Sequence, residues 1–342
     1  YLSHEDLNTT RLYDGLNATR LCDKSSKMLP PVLIISIGIV ALEVVVGVAG
    51  NGFITAVNII NCIKSKKISP ADIILTFLST SRFILQMTIL MHIHSLYFAD
   101  EFKLAAVYKA FGAVWMFVNH ASLWFSTWLY VLYCVKIINV TQWLLLQIKL
   151  RIAGMVPWLL LGSLVISSVT SLPLLWIAPS TYVCSSTGNC RENSTAHITD
   201  WDSSHLYLLL LYFVGCFFPL VLSVVTSALL ITSLWKHTKK MQYYVDTFRD
   251  PLIEVHLTAI KSIISFLILY LSSFVAQILL ILSTSQSKDV VKVAVSLVAA
   301  GAYPSIHSII LIIVNSKLKL AFKILCQHFK CPLANTALCL IL

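Results

Sequence analysis

Seven long apolar runs divide this chain, each separated from the next by a polar connector. They fall at roughly Val32–Ile60, Asp72–Ser95, Val107–Val135, Ile152–Ala178, Leu206–Leu234, Thr258–Ser283 and Val290–Val314. A helix needs about 20 apolar residues to cross the hydrocarbon core of a bilayer. Inside lipid every backbone N–H and C=O must find its partner within the protein, which leaves helices and closed barrels as spanning structures. The pattern therefore predicts an all-α membrane protein, a seven-transmembrane helix bundle. The first and third runs exceed the minimum length, so those helices are expected to tilt or protrude. Composition agrees: 58% of residues are hydrophobic and 12% charged, where a soluble domain carries about 25% charged.

The formal net charge of +10 would suggest nucleic acid on a soluble protein. Here the basic residues lie in the connectors, with no continuous stripe and no interleaved exposed aromatics, so they read as topology signals. An odd number of spans puts the termini on opposite sides. With the amino terminus outside, the inner segments hold Lys64, Lys66, Lys67, Lys136, Lys149, Arg151, Lys236, Lys239, Lys240, Arg249, Lys261, Lys317, Lys319, Lys323 and Lys330. The outer segments hold fewer basic residues and most of the acids, which matches the positive-inside tendency. The expected organisation is an extracellular tail at 1–31, a transmembrane domain at 32–314 and a cytosolic tail at 315–342, in a multi-pass protein of the plasma membrane. The first thirty residues are polar and lack a short apolar core, so the first span is expected to act as its own signal anchor. Tyr1 stands where an initiator Met is expected, which suggests a missing natural start.

Sequons at Asn8, Asn17 and Asn193 fall on the predicted outer side, where glycosylation occurs. Asn139 begins a fourth triplet on the inner side and should stay bare. Cys22, Cys184 and Cys190 are also outside and allow one bridge, whose pairing the spacing does not choose. Cys326, Cys331 and Cys339 follow the last span and read either as acylation sites or as plain thiols.

Polar residues inside the spans carry most of the functional signal. Arg82 sits deep in the second run, where a charge costs about 2.5–3.5 kcal/mol on insertion scales unless it faces polar partners. Asn51 and Glu43 lie in the first run. Arg82 and Asn51 share a similar inner depth and are candidates to meet. Glu43 is two turns farther out than Asn51, about 12 Å, so no direct Glu43–Arg82 pair is assumed. Two readings stand: a polar network that switches between helix arrangements, or a fixed packing network. In the third run Trp115 and Asn119 are four apart and share one helix face. An indole plate beside a buried amide suits a pocket for small, mostly apolar ligands; equally, Trp115 packs on a neighbouring helix and Asn119 bonds across to it. Pro157, Pro173, Pro219 and Pro304 lie within or near the ends of spans, where proline bends helices. The basic inner ends of the fifth and sixth runs suit anionic lipid, a cytosolic partner, or both.

The motifs Asn51-Gly52-Phe53-Ile54, Leu78-Ser79-Thr80-Ser81-Arg82, Trp124-Phe125-Ser126-Thr127-Trp128-Leu129 and Leu229-Leu230-Ile231-Thr232-Ser233-Leu234 occur in order, followed by Phe266-Leu267-Ile268-Leu269-Tyr270 and Tyr303-Pro304-Ser305-Ile306-His307-Ser308. Together they resemble the bitter taste receptors, the type 2 taste receptor family of G-protein-coupled receptors, from about Leu29 to Lys330. The resemblance implies an outward-facing agonist pocket with Trp115 and Asn119 among its usual lining. Gly112, Met116 and His120 on the same helix, with Ala276, Leu297 and Ala300 on the sixth and seventh, complete the candidate lining. It implies a signalling core of Asn51, Arg82 and Pro304. It also implies activation of a gustducin-type heterotrimeric G protein at an inner face carrying Lys136, His237, Lys240, His256 and Lys261. No cofactor and no metal are implied. Leu297 is apolar where some members carry a charged or polar ligand contact, which points away from cationic agonists. The Asp-Arg-Tyr and Asn-Pro-x-x-Tyr motifs of rhodopsin-like receptors are missing, as they are in this family.

A transporter or channel for small solutes is the alternative. It is disfavoured by the lack of an internal repeat and of broken mid-membrane segments. A membrane enzyme is disfavoured by the lack of a zinc-protease helix, a nucleophile elbow or paired intramembrane aspartates.

Overall fold

The computed structural model describes residues 31–65, 69–97, 105–137, 143–177, 197–244, 251–286 and 290–328. The sequons at Asn8, Asn17 and Asn193, the outer cysteines, Cys331 and Cys339 lie outside these residues. The described residues fold into α1 (Pro31–Ser65), α2 (Pro70–Tyr97), α3 (Ala105–Ile137), α4 (Trp143–Ser171), the single turn α5 (Leu174–Ile177), α6 (His197–Tyr244), α7 (Pro251–Gln286), α8 (Val290–Val314) and α9 (Ser316–His328). Three long helices, α1, α2 and α7, open on proline, whose fixed φ suits the first helical position and whose missing N–H is no loss there. Asp72 in the first turn of α2 adds a carboxylate where the helix dipole favours one.

The predicted apolar runs fall within these helices, with one correction. The fourth run, Ile152–Ala178, is not one rod: α4 stops at Ser171, and α5 begins after Pro173. Pro173 has no N–H to continue the ladder, and the chain turns there through Leu175 N–H to Leu172 O (3.0 Å) and Trp176 N–H to Pro173 O (3.1 Å). Ala178 lies outside the described residues.

Among the described residues, six segments are long and apolar enough to cross a membrane: Ile34–Lys64, Pro70–Met91, Arg151–Trp176, Leu206–Lys239, Val255–Leu282 and Ala294–Val314. The long helix not among them is α3, which at 33 residues has the length but too many polar groups. Its neighbours explain how it tolerates them. It packs against α2, α4 and α6, and Asn119, His120, Ser122, Ser126 and Thr127 are all buried. The remaining helices close a ring, with α6 on α7, α7 on α8, α8 on α1 and α1 on α2.

The surface is inverted relative to a soluble bundle. On α4, Trp158 (74% exposed), Val165 and Val169 face outward, while Ser163, Ser167 and Ser171 are buried against the protein. Apolar residues outside and hydroxyls inside is the arrangement that lipid as solvent selects. The chain is a helical membrane bundle.

Candidate functional site

Arg82 is fully buried and anchors a polar node between α2, α3 and α8. The period of α2 turns it toward α3 and α8. Its Nη2 donates to Ser126 Oγ (2.9 Å) on α3 and to Tyr303 OH (2.6 Å) on α8. Its Nη1 bonds His307 Nδ1, one turn further along α8. The guanidinium carbon also lies 4.7 Å from the Tyr303 ring centre, a cation–π contact. Since arginine only donates, His307 Nδ1 must accept, which leaves the ring proton on Nε2 facing Tyr130 OH at 3.3 Å. All these partners are neutral. The charge is solvated by hydroxyls, a ring nitrogen and a π face, with no counter-ion among its hydrogen-bond partners.

Asn51 does not bond Arg82. Its Nδ2 donates to Gly47 O (2.8 Å) and across to Pro304 O (3.3 Å). Both residues therefore reach α8 from different sides, Asn51 at the Pro304 carbonyl and Arg82 at Tyr303 and His307. The backbone of α8 is the shared element. Pro304 contributes its carbonyl and lies inside α8.

One turn outward is a second junction. Gln86, also fully buried, donates from Nε2 to Ser305 Oγ (2.7 Å), and Ser305 donates to Glu43 O (2.7 Å). This joins α1, α2 and α8 at a place where Gly47 has no side chain to intervene. A Cβ on Gly47 would lie 2.4 Å from Gln86 Nε2 and 2.8 Å from Ser305 Oγ.

The half of the bundle away from α9 holds the residues expected to line the pocket. Asn119 is buried and pairs with Gln277 on α7: Nδ2 donates to Gln277 Oε1 (3.0 Å) and Oδ1 lies 3.5 Å from Gln277 Nε2. Met116 and Ala276 are buried, while Trp115, Gly112, Leu297 and Ala300 are half-buried. Trp115 touches two apolar groups, one with Met116, Tyr212 and Tyr270, the other with Val40, Val44, Leu85, Ile89, Val118 and Leu297. It stands where α3 meets both flanks of the bundle. His120 is placed elsewhere: its ring is fully buried, Nδ1 pairs with Thr170 Oγ1 on α4 (2.8 Å), and the ring fills the space left by Gly215 on α6. It ties α3 to α4 and α6, and does not share the Asn119–Gln277 face.

At the end of the bundle that carries α9, Lys136, His237 and Lys261 are exposed and His256 is half-buried. His237 on α6 and His256 on α7 stack edge to face at 5.1 Å between ring centres. Lys240 lies on α6. The short helix α9 is capped by Asn315 Oδ1, which accepts from Lys317 N (3.0 Å) and Leu318 N (3.3 Å). It is held under the bundle by Lys317 Nζ to Asp72 Oδ2 (3.0 Å) and by Phe53 against Phe322.

The sequence singles out Arg82, Asn51 and Asn119 and offers Asn51 as a candidate partner for Arg82. In the structure Ser126, Tyr303 and His307 partner Arg82, the Gly47 and Pro304 carbonyls partner Asn51, and Gln277 partners Asn119. One signal was available: Tyr303 and His307 are four apart, as are Ser122 and Ser126, so each pair shares a helix face. Which face meets Arg82 required the packing.

The family described as taste receptor protein (TAS2R) matches residues 28–330 of the chain. Taste receptor type 2 member 40 of Gallus gallus is 38% identical over 282 residues, covering 82% of this chain and 90% of that protein. Taste receptor type 2 member 39 of Homo sapiens is 35% identical, covering 92% and 93%. Taste receptor type 2 member 119 of Mus musculus is 36% identical, covering 86% and 85%.

Proposed function

The chain belongs to the type 2 taste receptor family, bitter taste G-protein-coupled receptors, and on that premise we propose that it is a plasma-membrane receptor that binds small, mostly apolar bitter compounds and activates a gustducin-type heterotrimeric G protein. In this reading α3 also crosses the membrane and brings the spans to seven, the amino terminus is outside, and agonist enters the outer half of the bundle. Trp115, Met116, Gly112 and Asn119 on α3 form one wall, with Ala276 on α7 and Leu297 and Ala300 on α8 opposite. Agonist competes for the Asn119–Gln277 amide pair. Breaking or bridging that pair alters how α7 sits on α3.

The observation that carries the mechanism is the solvation of Arg82 by groups on α3 and α8 alone. A buried charge with exclusively neutral, rotatable partners on two other helices has more than one way to be satisfied. An agonist that favours one arrangement shifts the population by no more than its differential affinity for the two. Movement of α8 against α2 then reaches the inner ends of α3, α6 and α7, where Lys136, His237, Lys240, His256 and Lys261 face the G protein.

The test is a G-protein reporter assay against a panel of bitter compounds in cells expressing the native chain, Asn119→Ala or Arg82→Ala. Asn119→Ala is expected to lose potency while reaching the cell surface. Arg82→Ala is expected to lose agonist control of signalling. Normal signalling by a surface-expressed Arg82→Ala variant would remove Arg82 from the mechanism.

A further inference from the structure

We propose that Glu43 and Gln86 form a recognition point for protonated amines at the floor of the ligand site, between α1, α2 and α8. This rests on the receptor reading above and names a chemical class of agonist for it. Glu43 Oε2 is buried and has no hydrogen-bond partner, and neither does Gln86 Oε1 on a fully buried side chain. The orientation of the Gln86 amide follows from its neighbour. Ser305 directs its proton to Glu43 O, so it accepts from Gln86 Nε2, which leaves Gln86 Oε1 turned away from Ser305. The two open groups are thus both oxygen acceptors. Their complement is a group with several donors and no acceptor, which describes an ammonium.

Placement supports the same class. Glu43 and Gly47 are one turn apart on α1, as are Gly301 and Ser305 on α8. Glu43 lies against Gly301, where a Cβ would come within 2.6 Å of Oε2, and Gln86 lies against Gly47 and Ser305. One turn, about 6 Å, separates the levels. An ammonium bonded to both oxygens at about 2.8 Å each would need them no more than about 6 Å apart. Val44 and Leu85, next in sequence to Glu43 and Gln86, belong to an apolar cluster with Val40, Ile89, Trp115 and Leu297, which would adjoin the body of the ligand. A bare metal ion fits poorly, because hard cations take about six or more oxygens and two are offered. Arg82, one turn inward on α2, bars a cation from going deeper. The apolar Leu297 removes one acidic contact from α8, and Glu43 supplies a carboxylate beside the neighbouring turn of the same helix.

The test uses hydrophobic secondary amines, each paired with its uncharged N-acetyl derivative, on the native receptor, Glu43→Gln and Gly301→Ala. Two readouts are taken: G-protein reporter potency, and ligand-induced thermal stabilisation of the purified full chain. Glu43→Gln keeps the shape and removes the charge. It is expected to weaken amines by about tenfold to a hundredfold, the range of a charged hydrogen bond, and to leave the amides within about twofold. Gly301→Ala, which displaces the carboxylate by a separate route, should weaken amines in the same direction. Amine potency and stabilisation unchanged in both variants at normal surface level would overturn the proposal, as would amides outperforming their amines throughout the panel. Amine stabilisation lost in Glu43→Gln without any reporter response would support the site and count against G-protein coupling instead.

Discussion

Replacing Gly47 by alanine tests the α1–α2–α8 junction with a single methyl group. The new Cβ would sit 2.4 Å from Gln86 Nε2, 2.8 Å from its Cδ and 2.8 Å from Ser305 Oγ. The first two atoms belong to one amide and the third to its partner, so the amide must leave Ser305 to make room. Overpacking of this kind costs about 1–3 kcal/mol. Leaving a buried amide unpaired costs about 1–3 kcal/mol more. Alanine's better helix propensity returns about 1 kcal/mol. The net loss is about 1–5 kcal/mol. Gly52, on the same helix, is the internal control: its nearest outside atom is Phe83 Cε2 at 3.6 Å, an ordinary contact. Gly52→Ala should be neutral or stabilising by up to about 1 kcal/mol. The assay is thermal unfolding of the detergent-solubilised receptor, with surface expression alongside. Gly47→Ala is expected to melt several degrees below the native protein and Gly52→Ala at or above it. Equal melting of the two variants would refute the junction geometry.

The Asn119–Gln277 pair should behave as a unit: in a double-mutant cycle with alanine, unfolding is expected to show a coupling of about 1 kcal/mol, and additive losses would mean the amides do not meet. Gly215→Ala drives a Cβ to 2.3 Å from His120 Cε1, so surface expression should fall, and adding His120→Ala should restore part of it. The Lys317–Asp72 bridge joins a side chain that is 62% exposed to one that is 20% exposed. Lys317→Ala should therefore change stability by less than about 1 kcal/mol, and a larger drop in melting temperature would show that α9 is held mainly by this bridge.

Much of the architecture was legible because lipid imposes a simple rule on sequence. Runs such as Leu206–Leu234 have no other way to satisfy their backbone than by a long helix. The break at Leu172–Pro173 was visible as a proline, but its depth relative to the end of α4 was not, because proline near a helix end and proline within a helix look the same in sequence. The site was legible in part. Arg82 declared itself by the cost of its position, yet the choice of partner went to α3 and α8 because helix rotation, which periodicity leaves free for an apolar rod, turns it away from Asn51. His120, counted in the candidate lining, follows Asn119 directly, and a step of about 100° per residue turns its ring toward Thr170 on α4 and Gly215 on α6. Gln277 gave no signal, since a glutamine in an apolar run looks alike whether it meets an amide or a hydroxyl.

The polarity of α3 has a consequence for how the protein is made. A segment that carries Asn119, His120, Ser126 and Thr127 partitions poorly from the translocon into lipid when alone. Its partners are Thr170 on α4, Ser223 on α6, Gln277 on α7 and Arg82 on α2, and most of these are synthesised after it. During biogenesis the third segment is thus expected to wait at the channel mouth, or to linger at the interface, until later helices arrive to sheathe it. Substitutions on α4 or α6 that remove those hydroxyls should then show up first as failed delivery to the cell surface.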